Sequence, residues 1–366
     1  MEEWKEYKLG DVLTIKYGKD HKQLADGDIP IYGSGGIMRY GERSLYDGSS
    51  ILIPRKGSLN NVIYADKPFW TVDTMFWSII NDSIANPLFV YYSICKKDFA
   101  SLNVGSAVPS LTVPVIEDID ILLPPKATQD KVVSILKSLD DKIELNRHIN
   151  DNLEQQAQAL FNYYFIDTPE LLGEFSVGSL ADAANYVNGL AMQKYRPISG
   201  EKGLPVLKIK ELGQGRIDSS SDFCSNEIDS YYKVYDGDVI FSWSGTLMVK
   251  IWCGGKCGLN QHLFKVSSKT TPKWFYYFWT KHHLDNFIRI AKDKAVTMGH
   301  IKREELEKAE VLFPNNSVMK KLDTLMAPFL DQIIEKECEI RILALLRDTL
   351  LPKLISGELV INDINN

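Results

Sequence analysis

The apolar residues between Lys126 and Phe165 recur at alternating spacings of four and three, a pattern that predicts one long helix. The seam consists of Val132, Leu136, Leu139, Ile143, Asn146, Asn150, Leu153, Ala157 and Leu160. Such a seam requires a second helix to cover it. At 1.5 Å per residue the segment would be roughly 60 Å long, which favours a spacer between two bodies. The alternative is an ordinary long core helix.

A second seam with the same spacing follows about 190 residues later. Its positions are Leu322, Met326, Phe329, Ile333, Lys336, Ile340, Leu343, Arg347 and Leu350. Polar residues interrupt both seams, and polar seam residues cost stability while helping to specify register. We expect the two helices to pair antiparallel, with Asn146 near Lys336 and Leu153 near Phe329.

The duplication extends over the segments that precede the two helices. Matched positions are Trp4 with Phe175, Leu9 with Leu180, Asp11 with Asp182, Gly18 with Gly189, Ile51 with Ile240, Phe76 with Phe264, Tyr92 with Tyr277 and Pro124 with Pro314. Their order is preserved, and the shift drifts only through changes in loop length. The chain therefore predicts two copies of a globular domain, each followed by a long helix. Short apolar runs between Gly-, Asn- and Asp-rich turns, with a helix near Asn86–Lys96, indicate mixed α/β domains.

This layout resembles the DNA specificity subunit of type I restriction–modification enzymes. The strongest match is Leu122–Pro125 with Gln129, continued by 139–146 and 157–161. Weaker matches are 312–314, 351–354, 204–208 and 236–240, and the resemblance covers essentially residues 4 to 360. The second helix lacks a counterpart of Gln129. The loops that would read DNA cannot be matched, because they vary throughout the family.

The resemblance implies an α/β (α+β) fold. Two tandem target-recognition domains would be separated by two long antiparallel coiled-coil helices, giving an internal pseudo-two-fold repeat. The expected boundaries are 1–125 for the first recognition domain, 126–166 for the central helix, 167–314 for the second domain, 315–360 for the C-terminal helix and 361–366 for a tail.

Composition adds constraints on compartment and partners. The 366 residues are 45% hydrophobic and 25% charged, as in ordinary globular proteins. No apolar run has membrane-spanning length, and the N-terminal residues lack the apolar stretch of a secretory signal. Five scattered cysteines predict reduced thiols in the cytoplasm. A net charge of −6 argues against tight DNA binding by the chain alone and fits a subunit whose partners supply phosphate contacts.

Candidate DNA-contacting residues lie in polar loops of both repeats. The loop 55–61 is the best base-reading candidate of the first repeat, because Arg matches guanine and Asn matches adenine in the major groove. A solvated hairpin turn is an equally open interpretation of this loop. The candidates are Ser34, Arg39, Arg43, Arg55, Lys56, Ser58, Asn60 and Asn61, then Lys208, Lys210, Arg216, Ser242, Ser244, Thr246, Lys250, Gln261, His262, Thr297, His300 and Lys302. Equivalent loops carry different side chains, which predicts two different half-sites.

Signatures of metal sites and of catalysis are weak in this sequence. Cys253 and Cys257 with His262 lack a fourth ligand, so we predict ordinary thiols and no metal site. His282 and His283 follow an aromatic run that is more typical of the core face of a helix than of a base-stacking platform. No nucleotide-binding loop or amino-methylation motif occurs, and we assign no catalytic residue.

The resemblance supplies the expected partners and cofactors. Two methylation subunits would dock on the chain and methylate N6 of a flipped adenine from S-adenosylmethionine. Restriction subunits using ATP and Mg²⁺ would join them, and this chain itself would bind duplex DNA but no cofactor and no membrane. Two other functions remain open: a coiled-coil adaptor that binds proteins, and a cryptic nuclease or methyltransferase that acts alone.

Overall fold

The computed structural model describes residues 4–105, 108–293, 300–359 and 361. The chain forms two compact units. The first contains the described residues up to Asp141 and those from Ala344 onward, and the second runs from Lys142 to Leu343.

The first repeat contains strands and short helices that lead into a long helix. They are Lys5–Lys8 (β1), Leu9–Val12 (α1), Leu13–Tyr17 (β2), Ile29–Gly33 (β3), Gly36–Gly41 (β4), Ser50–Pro54 (β5), Ile63–Ala65 (β6), Trp70–Thr71 (β7), Met75–Ile80 (β8), Pro87–Ile94 (α2), Val113–Glu117 (α3), Asp120–Leu123 (β9) and the long helix Lys126–Asn162 (α4). A short π-helical turn at Tyr163–Asp167 follows α4.

The second repeat contains an equivalent series. Its elements are Phe175–Ser179 (β10), Leu180–Ala183 (α5), Asn185–Asn188 (β11), Leu204–Leu207 (β12), Ile209–Gln214 (α6), Phe223–Cys224 (β13), Lys233–Val234 (β14), Asp238–Ser242 (β15), Met248–Trp252 (β16), Cys257–Leu259 (β17), Leu263–Ser267 (β18), Lys273–His282 (α7), Leu284–Asp293 (α8), Glu304–Lys308 (α9), Glu310–Pro314 (β19) and the long helix Asn316–Ile355 (α10).

Sheet topology confirms the internal duplication. The order β2-β8-β5-β6 in the first repeat corresponds to β11-β18-β15-β16 in the second. A second sheet, β4-β3-β7, corresponds to β13-β12-β17-β14, and the pair β1-β9 corresponds to β10-β19. The predicted fold of two tandem α/β domains with two long helices is therefore confirmed.

Repeated residues in the sequence have repeated structural roles. Asp11 accepts a hydrogen bond from the Lys8 backbone N–H at 3.1 Å, and Asp182 accepts one from the Ser179 N–H at 2.8 Å. Each carboxylate thus caps the start of a short helix, α1 or α5. In the first repeat, the Asn86 side chain caps α2 and Pro87 begins it, as the sequence predicts.

The aromatic run in α7 forms the core of the second unit. Trp274, Phe275, Phe278 and Trp279 are buried together with Phe161 from α4 and apolar residues from the start of α10. His283 lies against Trp279 at this edge of the core, with ring centroids 6.0 Å apart. The interpretation of this run as a core face is confirmed.

The two long helices pair antiparallel within each unit. In the first unit, Val132 and Leu136 of α4 share a core with Leu351 and Leu354 of α10, and Arg347 donates to Asp140 at 2.7 Å. In the second unit, the Asn150 amide donates to Glu337 at 2.9 Å and Lys142 pairs with Glu339 at 3.6 Å. As residue numbers rise along α4, the partner numbers on α10 therefore fall.

The burial of the seam follows the predicted spacing on α4 and departs from it on α10. On α4, Leu136, Ile143 and Asn146 are buried, while Leu139, Leu153 and Leu160 are half-buried. On α10, Met326 is buried, and Phe329, Ile333, Lys336, Leu343 and Leu350 are half-buried. The fully buried α10 positions also include Leu330 and Leu351, each one residue beyond a predicted seam position.

Polar side chains from both helices lie beside one carboxylate of α10. Asn146 lies beside Glu339, and Lys336 donates to that same carboxylate at 2.9 Å. One carboxylate therefore attracts both groups, since a buried amide and a cation each gain from an acceptor. The expected proximity of Asn146 to Lys336 stays a prediction. The Leu153–Phe329 contact stays a prediction.

Within the described residues, no helix combines the length and apolar content needed to cross a bilayer.

Candidate nucleic-acid interface

Each repeat has an open cavity at the edge of its second sheet. The cavity of the first repeat measures about 650 Å³ and is lined by Asp20, His21, Lys22, Gly33, Ser34, Gly35, Met38, Val72, Asp73 and Thr74. That of the second repeat measures about 470 Å³ and is lined by Met192, Gln193, Arg196, Pro197, Val206, Lys208, Asp222, Phe223 and Asn260. We call these the first and second cavities.

The two cavities occupy equivalent places in the duplicated fold. Each lies where a parallel strand pair ends, β3 with β7 in the first repeat and β12 with β17 in the second. The paired residues at these ends are Tyr32 with Thr71 and Leu207 with Leu259. The linings come from the segment after β2 or β11, from the end of β3 or β12, and from the residues that follow β7 or β17.

A glycine at the same place in each repeat allows two backbone segments to pack closely beside the cavity. A Cβ on Gly18 would lie 2.0 Å from the Val72 carbonyl oxygen, and a Cβ on Gly189 would lie 2.2 Å from that of Asn260. Any side chain would push the two segments apart, because real Cβ contacts are never so short. Gly18 and Gly189, which match in the sequence, therefore lie at equivalent places beside the two cavities.

The chemistry of the two linings differs. The first cavity carries hydroxyls of Ser34 and Thr74, and a hydrogen bond from the Lys22 backbone N–H lowers the pKa of its Asp20 carboxyl. The second carries Gln193, Arg196 and Asn260. Amide and guanidinium groups match the edges of adenine and guanine in the major groove, whereas hydroxyls serve either a base or a phosphate.

Lys208 and Asp222 form an ion pair in the wall of the second cavity. The hydrogen bond from Lys208 lowers the pKa of Asp222. Both side chains are substantially exposed, so the ion pair contributes little to stability. It positions a cation at the cavity wall.

The structure brings the predicted loop 55–61 next to the first cavity. Asn61 donates to the Ser34 carbonyl at 2.9 Å, which ties this loop to the β3–β4 turn. Arg55 donates to the carbonyl of Asp73 at 3.1 Å and lies over the Tyr17 ring at 5.5 Å. Lys56 and Ser58 are exposed in the same loop. The loop therefore forms the rim of the cavity.

Several candidates of the first repeat hold loops together. Arg39 donates to the carbonyls of His21 and Leu24 at 2.7 and 2.8 Å. Asn60 donates to Asp98 at 3.1 Å and accepts from the Ala100 N–H at 2.9 Å. Arg43 lies over the Trp70 ring at 5.9 Å. These side chains are engaged in loop structure, and their predicted contacts with DNA stay predictions.

The second-repeat candidates divide between the cavity and its surroundings. Lys208 lines the cavity, and Gln261 and His262 directly follow its Asn260. Lys210 pairs with Asp218 at 3.1 Å, and Lys250 donates to the Gly213 carbonyl at 2.8 Å. Arg216, Thr246 and Lys302 are exposed, and so are Lys210 and His300. Thr297 lies outside the described residues.

Two candidates face the interior of the second unit. Ser242 is fully buried, and its hydroxyl donates to the Ser244 carbonyl at 3.2 Å. Ser244 is also buried and forms a bridge with His300. Ser242 ends β15, which is an inner strand of its sheet because it lies between β18 and β16. We therefore leave Ser242 and Ser244 out of the proposed interface.

Sequence reasoning missed His21, Lys22, Thr74, Gln193 and Arg196. They are scattered over loops, and only the parallel strand pairs bring them together. The repeated glycines were the available signal, but a glycine match does not reveal which side chains face the space beside it.

The thiols considered as metal ligands are part of the interior. Burial raises the pKa of both Cys253 and Cys257 to about 12, so both are protonated at neutral pH. The His262 ring instead lies near Trp243, with centroids 6.1 Å apart, and beside the Gln261 amide. In the described part of the chain, no three His, Cys, Asp or Glu side chains cluster as metal ligands would.

Comparison with known proteins confirms the resemblance. The profile described as "Type I restriction modification DNA specificity domain" matches residues 1–155 and 173–344. The MjaIX specificity subunit of Methanocaldococcus jannaschii, a type I restriction enzyme subunit, is 26% identical over 98% of this chain and 89% of its own length. The EcoBI specificity subunit of Escherichia coli is 26% identical over 50% of this chain and 39% of its own length.

A solved structure also shares the fold. The S subunit of a type I restriction–modification system from M. genitalium superimposes with a TM-score of 0.61, at 14% identity, over 96% of both chains.

Proposed function

This chain belongs to the type I restriction–modification DNA specificity family, and from that premise we propose that each repeat reads one half of a bipartite duplex DNA sequence. The chain is a specificity subunit, which is a non-catalytic component, and the DNA-recognition role belongs to it. The observation that carries the finer proposal is the pair of equivalent cavities with different linings.

Base reading would take place at the two cavities and their rims. In the first, Ser34, Thr74 and the rim residue Arg55 would contact one half-site. In the second, Gln193, Arg196 and Asn260 would contact the other. Because the lining of the first cavity offers hydroxyls and that of the second offers amide and guanidinium groups, the halves would differ in sequence.

The long helices would set the distance between the two halves. A helix has a fixed rise per residue, so the pairing of α4 with α10 is a suitable spacer. The polar contacts Asp140–Arg347 and Asn150–Glu337 would hold the register of the pair, since a register shift would leave these groups unpaired.

The methylation subunits would dock on an exposed apolar face of α10. Ile342, Leu345 and Leu346 are 60%, 69% and 45% exposed, and their spacing places them on one side of the helix. Exposed apolar strips of this kind mark interaction sites. The docked subunits would supply S-adenosylmethionine chemistry at adenine N6, and restriction subunits would supply ATP- and Mg²⁺-dependent cleavage.

Genome-wide mapping of adenine methylation tests the proposal. Cells that contain this chain and its methylation subunits should show one bipartite methylated motif, which disappears when the chain is deleted. Substitution of Gln193→Ala should relax the base preference in one half only, by about tenfold, because a bidentate amide–base pair is worth about 1–3 kcal/mol.

The matched control is Gln155→Ala, an exposed glutamine on α4, which should leave both halves of the motif unchanged. Methylation that persists without this chain would contradict the proposal. So would a Gln193→Ala protein that retains full selectivity at every motif position.

A further inference from the structure

One face of α10 packs against two neighbouring turns of the second repeat. The face consists of Ile334, Cys338 and Arg341, at spacings of four and three. Arg341 donates two hydrogen bonds to Asp236, at 2.9 and 2.8 Å. A Cβ on Gly237 would lie 3.4 Å from the Ile334 side chain, and one on Gly255 would lie 3.0 Å from the Arg341 guanidinium. The loops around Gly237 and Gly255 therefore lie along about two turns of α10.

Two free thiols meet in the middle of this contact. Cys253 is buried, and its sulfur lies 4.0 Å from the Ile334 carbonyl oxygen, which is one helical turn before Cys338. The thiol of half-buried Cys338 interacts with that of Cys253. The two hydrogen bonds between Arg341 and Asp236 hold α10 against the turn that contains Asp236. This packing keeps the two thiols close together.

We propose that Cys253 and Cys338 form a disulfide site, oxidised by exchange with a low-molecular-weight disulfide such as oxidised glutathione. The proposal is independent of the function proposed above. It concerns a covalent link between a turn of the second recognition domain and the helix on which that turn packs.

The reaction consists of two thiol–disulfide exchanges. The more exposed Cys338, as thiolate, attacks one sulfur of oxidised glutathione, forms a mixed disulfide and releases one glutathione. Cys253, as thiolate, then attacks the Cys338 sulfur, forms the protein disulfide and displaces the second glutathione. The two thiols are oxidised by two electrons, the glutathione disulfide is reduced, and the two thiol protons pass to the two leaving thiolates.

Burial, assisted by nearby carboxylates, makes the first exchange slow at neutral pH. Burial raises the pKa of both thiols, and the nearby Asp236 and Glu337 carboxylates add to this effect. The Arg341 cation opposes it at Cys338. Since the thiolate is the nucleophile, cross-linking should accelerate as pH rises from 7 to 9.

The other cysteines are less suitable partners for Cys253. The Cys257 sulfur lies 3.3 Å from the Gly255 carbonyl oxygen, and its side chain is buried in a separate apolar cluster with Leu207 and Trp252. Cys224 lies in another cluster with Met192 and Val206. Cys95 belongs to the first unit. Packing therefore selects Cys338.

The test is oxidation of the full-length chain with oxidised glutathione at pH 8.5, followed by peptide mapping without reductant. We expect one linked peptide pair, Cys253 with Cys338, and a fall in free thiols from five to three. The thermal midpoint of the oxidised protein should rise by about 5 °C or more, because the link closes a long loop of the unfolded chain. Oxidation in urea should instead give mixed pairings.

Variants make the result decisive. Cys338→Ser should abolish the linked pair and the rise in thermal midpoint, whereas Cys95→Ser should preserve both. A link between Cys253 and Cys257, or stable glutathione adducts without any internal link, would overturn the proposal. Circular dichroism of each variant before oxidation establishes that the reduced protein is folded.

Discussion

Gln129, part of the strongest match to the family, connects two helices of the first unit. Its fully buried carboxamide accepts from the Asn86 N–H at 2.8 Å and donates to the carbonyls of Ile84 and Pro124 at 3.0 and 2.9 Å. It therefore joins the start of α2 to the start of α4. The second repeat has Met319 at this place, which packs against the apolar core of its unit.

Substitution of Gln129→Ala should destabilise the first unit by about 2–4 kcal/mol. The change leaves the buried Pro124 carbonyl and the half-buried Asn86 N–H and Ile84 carbonyl without these partners. A buried group left unpaired costs about 1–3 kcal/mol before relaxation and water entry, and a half-buried group costs less. Urea unfolding of the full chain measures the loss. Gln23→Ala, at an exposed glutamine of the same unit, should change stability by less than about 0.5 kcal/mol.

The helix pair combines apolar burial with polar contacts. Asn146 is fully buried, and neither polar atom of its side chain makes a hydrogen bond that meets geometric criteria. Asn150 is better satisfied, because it donates to Glu337. An apolar residue at position 146 would stabilise the pair, so the amide fits a role in specifying register rather than in adding stability.

Lengthening both helices by one turn should lengthen the gap in the recognised DNA sequence. Four residues inserted after Glu144 in α4 and four after Glu339 in α10 add about 6 Å to each helix. That corresponds to about two base pairs, while both half-sites should stay the same. Methylation mapping reads the new motif directly. The control is a four-residue insertion between Asp82 and Ser83, in an exposed turn, and an unchanged gap in the lengthened protein would refute the spacer role.

The net charge of the chain limits how tightly it can bind DNA without partners. Its net charge is −6, and many of the lysines and arginines near the cavities already have protein partners, among them Lys208, Lys210 and Arg39. Phosphate contacts supply much of the affinity of DNA-binding proteins. Partners that add cations would therefore be needed for tight binding.

The isolated chain should bind target DNA at least about tenfold more weakly than its complex with the methylation subunits. The complex should also show the steeper dependence of log affinity on log salt, because the slope counts the phosphates that are neutralised. Fluorescence anisotropy at several salt concentrations measures both quantities. Equal slopes for the chain and the complex would show that the partners add no phosphate contacts.

Much of the fold could be predicted from local pattern. The seam of α4, the cap at Asn86, the aromatic core face of α7 and the duplicated order of elements all follow from spacings that a linear sequence displays. The candidate site was less predictable. The predicted loops included Ser242 and Ser244, which lie inside the second unit, and left out Gln193 and Arg196, which line its cavity.

The duplication, the two helices and the family could be predicted from the chain alone, because periodicity and repeated motifs depend only on the order of residues. The folded structure was needed to show which polar side chains share a cavity, which carboxylate lies beside Asn146 and which cysteine lies beside Cys253. Those contacts join residues far apart in the chain. They depend on strand register and on the rotation of one helix against another, and neither quantity can be read from the spacing of apolar residues.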